Sequence, residues 1–369
     1  MDTTTARTDS ELDLQFTRRA LELAAQNIGL VSPNPLVGCV IVSCEGDAVG
    51  EGSYRKDAVT HAEVVALEQA GKRADGATAY VSLEPHSHHG KTAPCTEALI
   101  NAGIKRVVAP IEDPNPLVSG KGFHTLRHAG IEVVTGILAA EATKLNEKFI
   151  CWHTKARPFV HLKMAMSLDG RISLGRSIST ALSSDAGLAR VHELRHEHDA
   201  ILIGANTVVV DNPSLTDRSG RDRRRKLVRV ILDNRLRTPV DSTVVTTARE
   251  TPTIIVSNST DTHKRKELVS HGVDFIVQDA RDLRAVMSAL REREIQSVLV
   301  EGGTEVAGAF RDTGLIDKLT LMMSPRIIGG HEAPLAFGGK GAASIADAPV
   351  LKDVTINRHE EDIEITGYF

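Results

Sequence analysis

Short apolar runs alternate with stretches of helical period along nearly the whole chain, beginning with "LVGCVIV" at 36–42. A buried strand followed by an amphipathic helix, many times over, specifies a sheet covered by helices on both faces, an α/β sandwich. In the front part the pattern predicts helix 61–71, strand 78–83, helix 94–102, strand 106–109, helix 121–129 and strand 131–134. An earlier helix is expected where Ser10 and Asp13 resemble a capping box and Leu14, Ala20, Leu21 and Ala24 recur at helical spacing.

A second series starts after "KFICWHTKARP" at 148–158. Strands are expected at 159–166, 200–203, 228–232, 253–256, 273–277, 297–300 and 319–323, with helices at 185–197, 262–271, 282–292 and 304–312. Neither series repeats the other. Two α/β domains are therefore expected, 10–150 and 151–369, and 369 residues are enough for each to bury its own core. Aromatic residues make up only 3%, so both cores must rest on Val, Ile, Leu and Ala.

A net charge of −4 and a pI near 6.4 give no bias toward nucleic acid or an anionic membrane, and neither is expected as a partner. The one dense basic run, Arg221-Asp222-Arg223-Arg224-Arg225-Lys226, reads as a solvated loop or an anion contact. Four cysteines are too few for a disulfide framework, and no run approaches the roughly 18 apolar residues of a membrane span. A cytoplasmic location is the default, and the polar residues 1–9 are expected to be disordered. The apolar "LMMSPRIIGG" at 321–330 suits either a subunit contact in a homo-oligomer or an internal strand and loop.

Two segments carry chemistry in the front domain. Thr60-His61-Ala62-Glu63 before Val64, Val65 and Leu67 is a respectable capping box, in which Glu63 only returns a hydrogen bond to the helix start. "VSLEPHSHHGKTAPC" at 81–95 opens a second reading. A hydrolytic zinc centre needs three protein ligands, an open fourth position and a nearby group that moves protons. His61 and His86 can each supply an imidazole and Cys95 a thiolate, while Glu63 stands close enough to move protons without being a ligand. Cys95 follows Pro94, a residue suited to a helix start, where the helix dipole favours a thiolate.

Taken together, "PNPLVGCVIV", "THAEVVAL" and "VSLEPHSHHGKTAPC" resemble the N-terminal domain of the bifunctional riboflavin-biosynthesis deaminase–reductase family, which has a cytidine-deaminase-like fold. The resemblance implies zinc ligation by His61, His86 and Cys95, catalysis by Glu63, and a substrate contact at Asn34, whose other reading is a plain Asn-Pro turn. The family carries cysteine where this chain has His86, so the implied donor set becomes two imidazoles and one thiolate. His88 and His89, kept by the family but not used as ligands, are implied to touch substrate or loop backbone.

In the rear domain "HLKMAMSLDGRI" at 161–172, "ILIGANTVVVDNPSLTDR" at 201–218 and "VLVEGGTEVAGAF" at 298–310 each run a strand into a polar or Gly-rich turn. Open α/β sheets gather ligands at such strand ends, and Gly302-Gly303-Thr304 would bare helix N-terminal amides to a phosphate. The GxGxxG fingerprint is absent. These segments resemble the same family's reductase domain, which has a dihydrofolate-reductase-like fold and uses NADPH. The resemblance implies cofactor contacts at Ala165, Thr207, Asp211 and the turn Gly303, Thr304, Glu305, Val306, Ala307, Gly308 and Ala309. It implies substrate contacts at Lys163, Ser179, Arg195, Leu215, Arg218 and Glu301, the two arginines suiting a ribose phosphate. Ser179-Thr180-Ala181-Leu182 stands where many members have a tryptophan.

The implied function is deamination of a phosphoribosylaminopyrimidine followed by NADPH reduction of its ribosyl group to ribityl. Two alternatives stay open: a reductase with a metal-free front domain, and a deaminase of nucleic-acid bases, for which the basic run is the only support.

Overall fold

The computed structural model describes residues 9–55, 60–88, 93–116 and 118–369; residues 1–8 and His89, for which expectations were stated, lie outside them. Two compact units follow one another, the first ending at Ala156 and the second beginning at Arg157.

The first unit runs α1 (Asp9–Ala25), β1 (Gly38–Val42), β2 (Ala48–Ser53), α2 (Ala62–Ala70), β3 (Thr78–Val81), α3 (Cys95–Asn101), β4 (Arg106–Val108), α4 (Lys121–His128), β5 (Glu132–Val134), α5 (Ala139–Leu145) and α6 (Glu147–Thr154). Its sheet has the order β2-β1-β3-β4-β5, antiparallel around β1 and parallel from β3 onward. Alternation along β1 divides the core. Cys39 and Ile41 pack with Ala62 and Ala66 of α2, Leu99 of α3 and Leu126 of α4, whereas Val40 and Val42 pack with Phe16, Ala20 and Leu23 of α1.

Neither expected capping box forms. Ser10 lies inside α1, and Asp13 instead accepts from the Arg106 guanidinium of β4 at 2.6 and 2.7 Å and from the Tyr80 hydroxyl at 2.9 Å. A buried carboxylate gains more from a paired guanidinium than from one helix amide, so the tertiary partner wins. At α2 the N-cap is His61, with no side-chain cap.

The second unit runs β6 (Phe159–Ser167), α7 (Asp185–His196), β7 (Ala200–Gly204), α8 (Ala205–Asp211), β8 (Val228–Leu232), α9 (Thr243–Thr246), β9 (Thr253–Val256), α10 (Thr262–Ser270), β10 (Asp274–Ile276), α11 (Leu283–Glu292), β11 (Ser297–Val300), α12 (Thr304–Thr313), β12 (Lys318–Ser324), β13 (Lys352–His359) and β14 (Asp362–Tyr368). Nine strands form one sheet in the order β10-β9-β8-β7-β11-β6-β12-β14-β13, parallel through β12 and closed by an antiparallel hairpin. Both faces of the parallel part are covered. Val160, Leu162, Leu202 and Val230 pack with Leu283, Val286 and Leu290 of α11 and Phe310 of α12. Ile201, Ile203, Ile231 and Ile255 pack with Val208 of α8, Val244 of α9 and Leu268 of α10.

After β7 the chain moves outward through β8, β9 and β10, then returns to place β11 between β7 and β6. That reversal opens a crevice at the carboxyl ends of β7 and β11. Among the described residues no helix is long and apolar enough to cross a membrane.

Candidate functional site

In the first unit the starts of α2 and α3 bring three donors together. One ligand atom each from His61, His86 and Cys95 lie within 4.8 Å of one another. The His61 and His86 rings stack at 4.4 Å between centroids, and His88 meets His86 edge-on at 5.3 Å. Burial, and then the neighbouring His61 and His88 rings, lower His86 to about 4, so at neutral pH its imidazole is uncharged and able to ligate. Asn34 reaches this place through a relay: its Nδ2 donates to the Tyr54 hydroxyl at 2.7 Å, and the Tyr54 ring lies 5.4 Å from that of His61.

Glu63, in the first turn of α2, is 2% exposed, and its Oε2 has no hydrogen-bond partner. The carboxylate takes a hydrogen bond from the Cys95 thiol, which burial, and then the Glu63 charge, push far above the usual thiol range. A thiolate and a carboxylate share so small a buried space only around a divalent cation. Two imidazoles, one thiolate and a spare carboxylate oxygen therefore fit a zinc ion with one open position.

In the second unit Lys163 of β6, Arg195 of α7 and Glu301 after β11 form one buried charge cluster. Arg195 holds both Glu301 oxygens, at 2.8 and 3.0 Å, and Lys163 Nζ lies 3.8 Å from Oε2. Burial pushes Glu301 up, but Arg195 and then Lys163 outweigh it and hold the carboxyl at about 2. Lys163 is lowered by burial, with Glu301 opposing. Arg195 also donates to the Thr216 carbonyl at 3.1 Å, so it is committed within the protein rather than open to a phosphate as expected. Arg218, exposed and held by Ser214 and Thr216 hydroxyls, is the guanidinium left open.

Other expected contacts divide by exposure. Ser179 sits on an exposed loop between β6 and α7, and Ala165 is half-buried on β6. Thr207 and Asp211 lie four residues apart on one face of α8. Leu215 is buried in the core with Ile201 and Ile203, so its side chain is not open to a ligand. In α12 the first turn begins at Gly303 with no side-chain cap, leaving its amides to a ligand, and Thr304 is half-buried. Ala307 and Gly308 are packed away, because a Cβ at 308 would meet the Gly338 carbonyl carbon at 2.4 Å.

Glu305, Val306 and Ala309 line a cavity of about 430 Å³ together with Gly204–Asn206, Leu232–Arg235, Arg237, Ala280, Arg281 and Leu283. Arg235, Arg237 and Arg281 at its rim are exposed and have no carboxylate at ion-pair distance among the described residues. Their loops are tied together: Asn234 bonds Asp279 and the Ala280 amide, and buried Asp233 accepts from the Arg237 and Thr238 amides. Sequence reasoning missed these arginines, because the fold alone brings the loop of Arg235 and Arg237 and the loop of Arg281 to one cavity.

The basic run is a loop, exposed as expected at Arg221, Asp222 and Lys226, but its half-buried arginines are engaged within the protein. Arg223 donates to the carbonyls of Arg195, His196 and His198 and to Asp217, closing the C-terminus of α7. Arg225 pairs with Glu294, and Lys226 holds the Glu250 carbonyl.

Comparison with known proteins bears on both units. Residues 10–110 match the cytidine and deoxycytidylate deaminase zinc-binding region, and residues 158–365 match the RibD C-terminal domain. The riboflavin biosynthesis protein RibD of Actinobacillus pleuropneumoniae is 41% identical over 95% of this chain and 94% of its own length. A solved structure of Acinetobacter baumannii RibD superposes with a TM-score of 0.86 at 35% identity, covering 97% of this chain and 99% of that one. A Thermotoga maritima diaminohydroxyphosphoribosylaminopyrimidine deaminase/5-amino-6-(5-phosphoribosylamino)uracil reductase superposes at 0.87 with 36% identity, covering 98% and 99%. With both units matched in order and near full length, the chain belongs to the RibD family of bifunctional riboflavin biosynthesis enzymes, a deaminase domain followed by a reductase domain.

Proposed function

We propose that the first unit hydrolytically deaminates 2,5-diamino-6-(5-phosphoribosylamino)pyrimidin-4-one and that the second reduces the deaminated product's ribosyl group to ribityl with NADPH. The observation that carries the first step is the meeting of His61, His86 and Cys95 beside a carboxylate oxygen with no partner. Those three side chains would hold a zinc ion, which would supply Lewis acidity and a water of lowered pKa. Glu63 takes the attacking water's proton at Oε2 and passes it to the amine nitrogen, which leaves as ammonia. Tyr54, fixed by Asn34, walls the His61 side of the site.

For the second step a bound nicotinamide would supply the hydride that reduces C1′ of the ring-opened imine. Lys163 holds a proton for the imine nitrogen, and Glu301 with Arg195 keeps that ammonium in place. Arg218 suits the 5-phosphate. The uncapped start of α12 suits the dinucleotide's phosphates, and Arg235, Arg237 and Arg281 suit the 2′-phosphate that separates NADPH from NADH. Four free cysteines suit a reducing compartment such as the cytoplasm.

Supplying the full-length chain with the pyrimidine substrate tests both halves. Ammonia should appear without nucleotide, and absorbance at the NADPH band should fall only once it has. In the Arg235→Ala, Arg237→Ala double variant the KM for NADPH should rise about tenfold or more, with that for NADH unchanged. NADPH oxidation that precedes ammonia release would overturn the order of steps, and equal losses for both nucleotides would overturn the arginines' role.

A further inference from the structure

Glu84 lies two residues before His86 and is 3% exposed, yet it reaches none of the three donors. Its carboxylate is saturated. Oε2 accepts from the Asp113 and Gly120 amides at 3.0 and 2.9 Å, and Oε1 from the Gly122 and Phe123 amides at 2.8 and 3.2 Å. Three of those amides open α4, so the carboxylate caps a helix distant in sequence and sits at the positive end of its dipole. With all its acceptor directions used, Glu84 has none left for a cation.

The same helix start presses on the peptide leading to His86. A Cβ at Gly122 would stand 2.0 Å from the Pro85 carbonyl oxygen, so only glycine allows this approach. Beyond it, the His86 carbonyl accepts from the Thr96 amide at 3.3 Å, in the turn of α3 that begins with Cys95. A continuous path therefore runs from the start of α4 through Glu84 and Pro85 to His86, and on to the element that carries Cys95. Fixing that backbone removes conformational freedom that an imidazole ligand would otherwise lose on binding.

We propose that Glu84 is a positioning residue for the metal centre: clamped by α4, it sets the Pro85–His86 peptide so that the His86 ring meets Cys95 and His61 around one cation. The proposal rests on His86 being a ligand. Groups that orient metal ligands commonly change metal affinity 10- to 100-fold when altered.

The test uses full-length protein loaded with zinc, or with cobalt(II) as a visible probe. In Glu84→Gln the amide nitrogen cannot accept from two of the four donors, and in Gly122→Ala the methyl displaces the Pro85 carbonyl. Both variants should release zinc to a chromogenic chelator about 10- to 100-fold faster and shift the cobalt–thiolate band, with NADPH-dependent reduction unchanged. In a His86→Ala background Glu84→Gln should add less than about twofold, because it acts through that ring. If Glu84→Gln does not fold, Gly122→Ala carries the same comparison. Parent-like zinc release in the folded variants, or an equal added factor without His86, overturns the proposal. Parent-like zinc retention by His86→Ala alone instead overturns the ligand assignment beneath it.

Discussion

Glu63→Gln should lower ammonia release about 10²- to 10⁴-fold while reduction of the deaminated intermediate continues at the parent rate. Glutamine matches glutamate in shape, so the buried first turn of α2 keeps its packing, but the amide can neither take a proton from water nor return one. Glu63 is well placed for that task because its carboxylate takes the Cys95 hydrogen bond while its Oε2 has no hydrogen-bond partner. Measuring ammonia and NADPH oxidation separately on the same preparation decides the matter. Loss of both activities in a folded variant would mean that the two sites are wrongly divided between the units.

The second large effect is expected at Glu301→Ala. The change leaves Lys163 and Arg195, 9% and 14% exposed, facing each other without their shared anion. Removing one member of a buried ion pair costs about 3–5 kcal/mol, so the unfolding transition of the second unit should move by that amount. Reduction should fall with it, since Lys163 loses the charge that favours its protonated form. The pH dependence has a definite sign. Glu301 is held at about 2 when folded, against about 4.3 in an unfolded chain. Its stabilisation is therefore complete above about pH 5 and is lost as pH falls through 4 toward 2. Acid titrations of stability, parent against variant, should differ by this limb; superposable curves would show that the cluster contributes nothing to the fold.

How much of this was legible in the sequence depends on where each residue finds its partners. The strands at 228–232, 253–256 and 297–300 have the expected bounds because they are buried on both faces and read as short, Val- and Ile-rich runs, broken within only by the buried Arg229. Helix α8 was missed, since "ANTVVVD" carries three β-branched valines and looks like more strand. The closing hairpin was missed because β13, "KDVTINRH", is exposed along nearly its whole length and shows no buried periodicity. Helices α5 and α6 escaped for want of a local cap.

The site divides in the same way. His61, Glu63, His86 and Cys95 were visible as a spacing of chemically apt side chains, although the local pattern at Thr60–Glu63, taken alone, favoured a helix cap that does not form. The bidentate grip of Arg195 on Glu301 joins residues 106 positions apart, and the four amides on Glu84 come from 29 to 39 positions away. No local pattern announces such partners. Within the basic run the role of Arg223 was hidden for the same reason, because it spends its charge on the carbonyl end of α7, which only the fold brings near.

X-ray absorption at the zinc edge of the full-length protein probes the donor set most directly. Two imidazoles and one thiolate predict a single sulfur at about 2.3 Å and nitrogen or oxygen neighbours at about 2.0–2.1 Å, with the sulfur lost in Cys95→Ser. A shell with no sulfur would contradict the account. So would one with two, which would draw in Cys39, buried close enough for its charge to bear on Cys95.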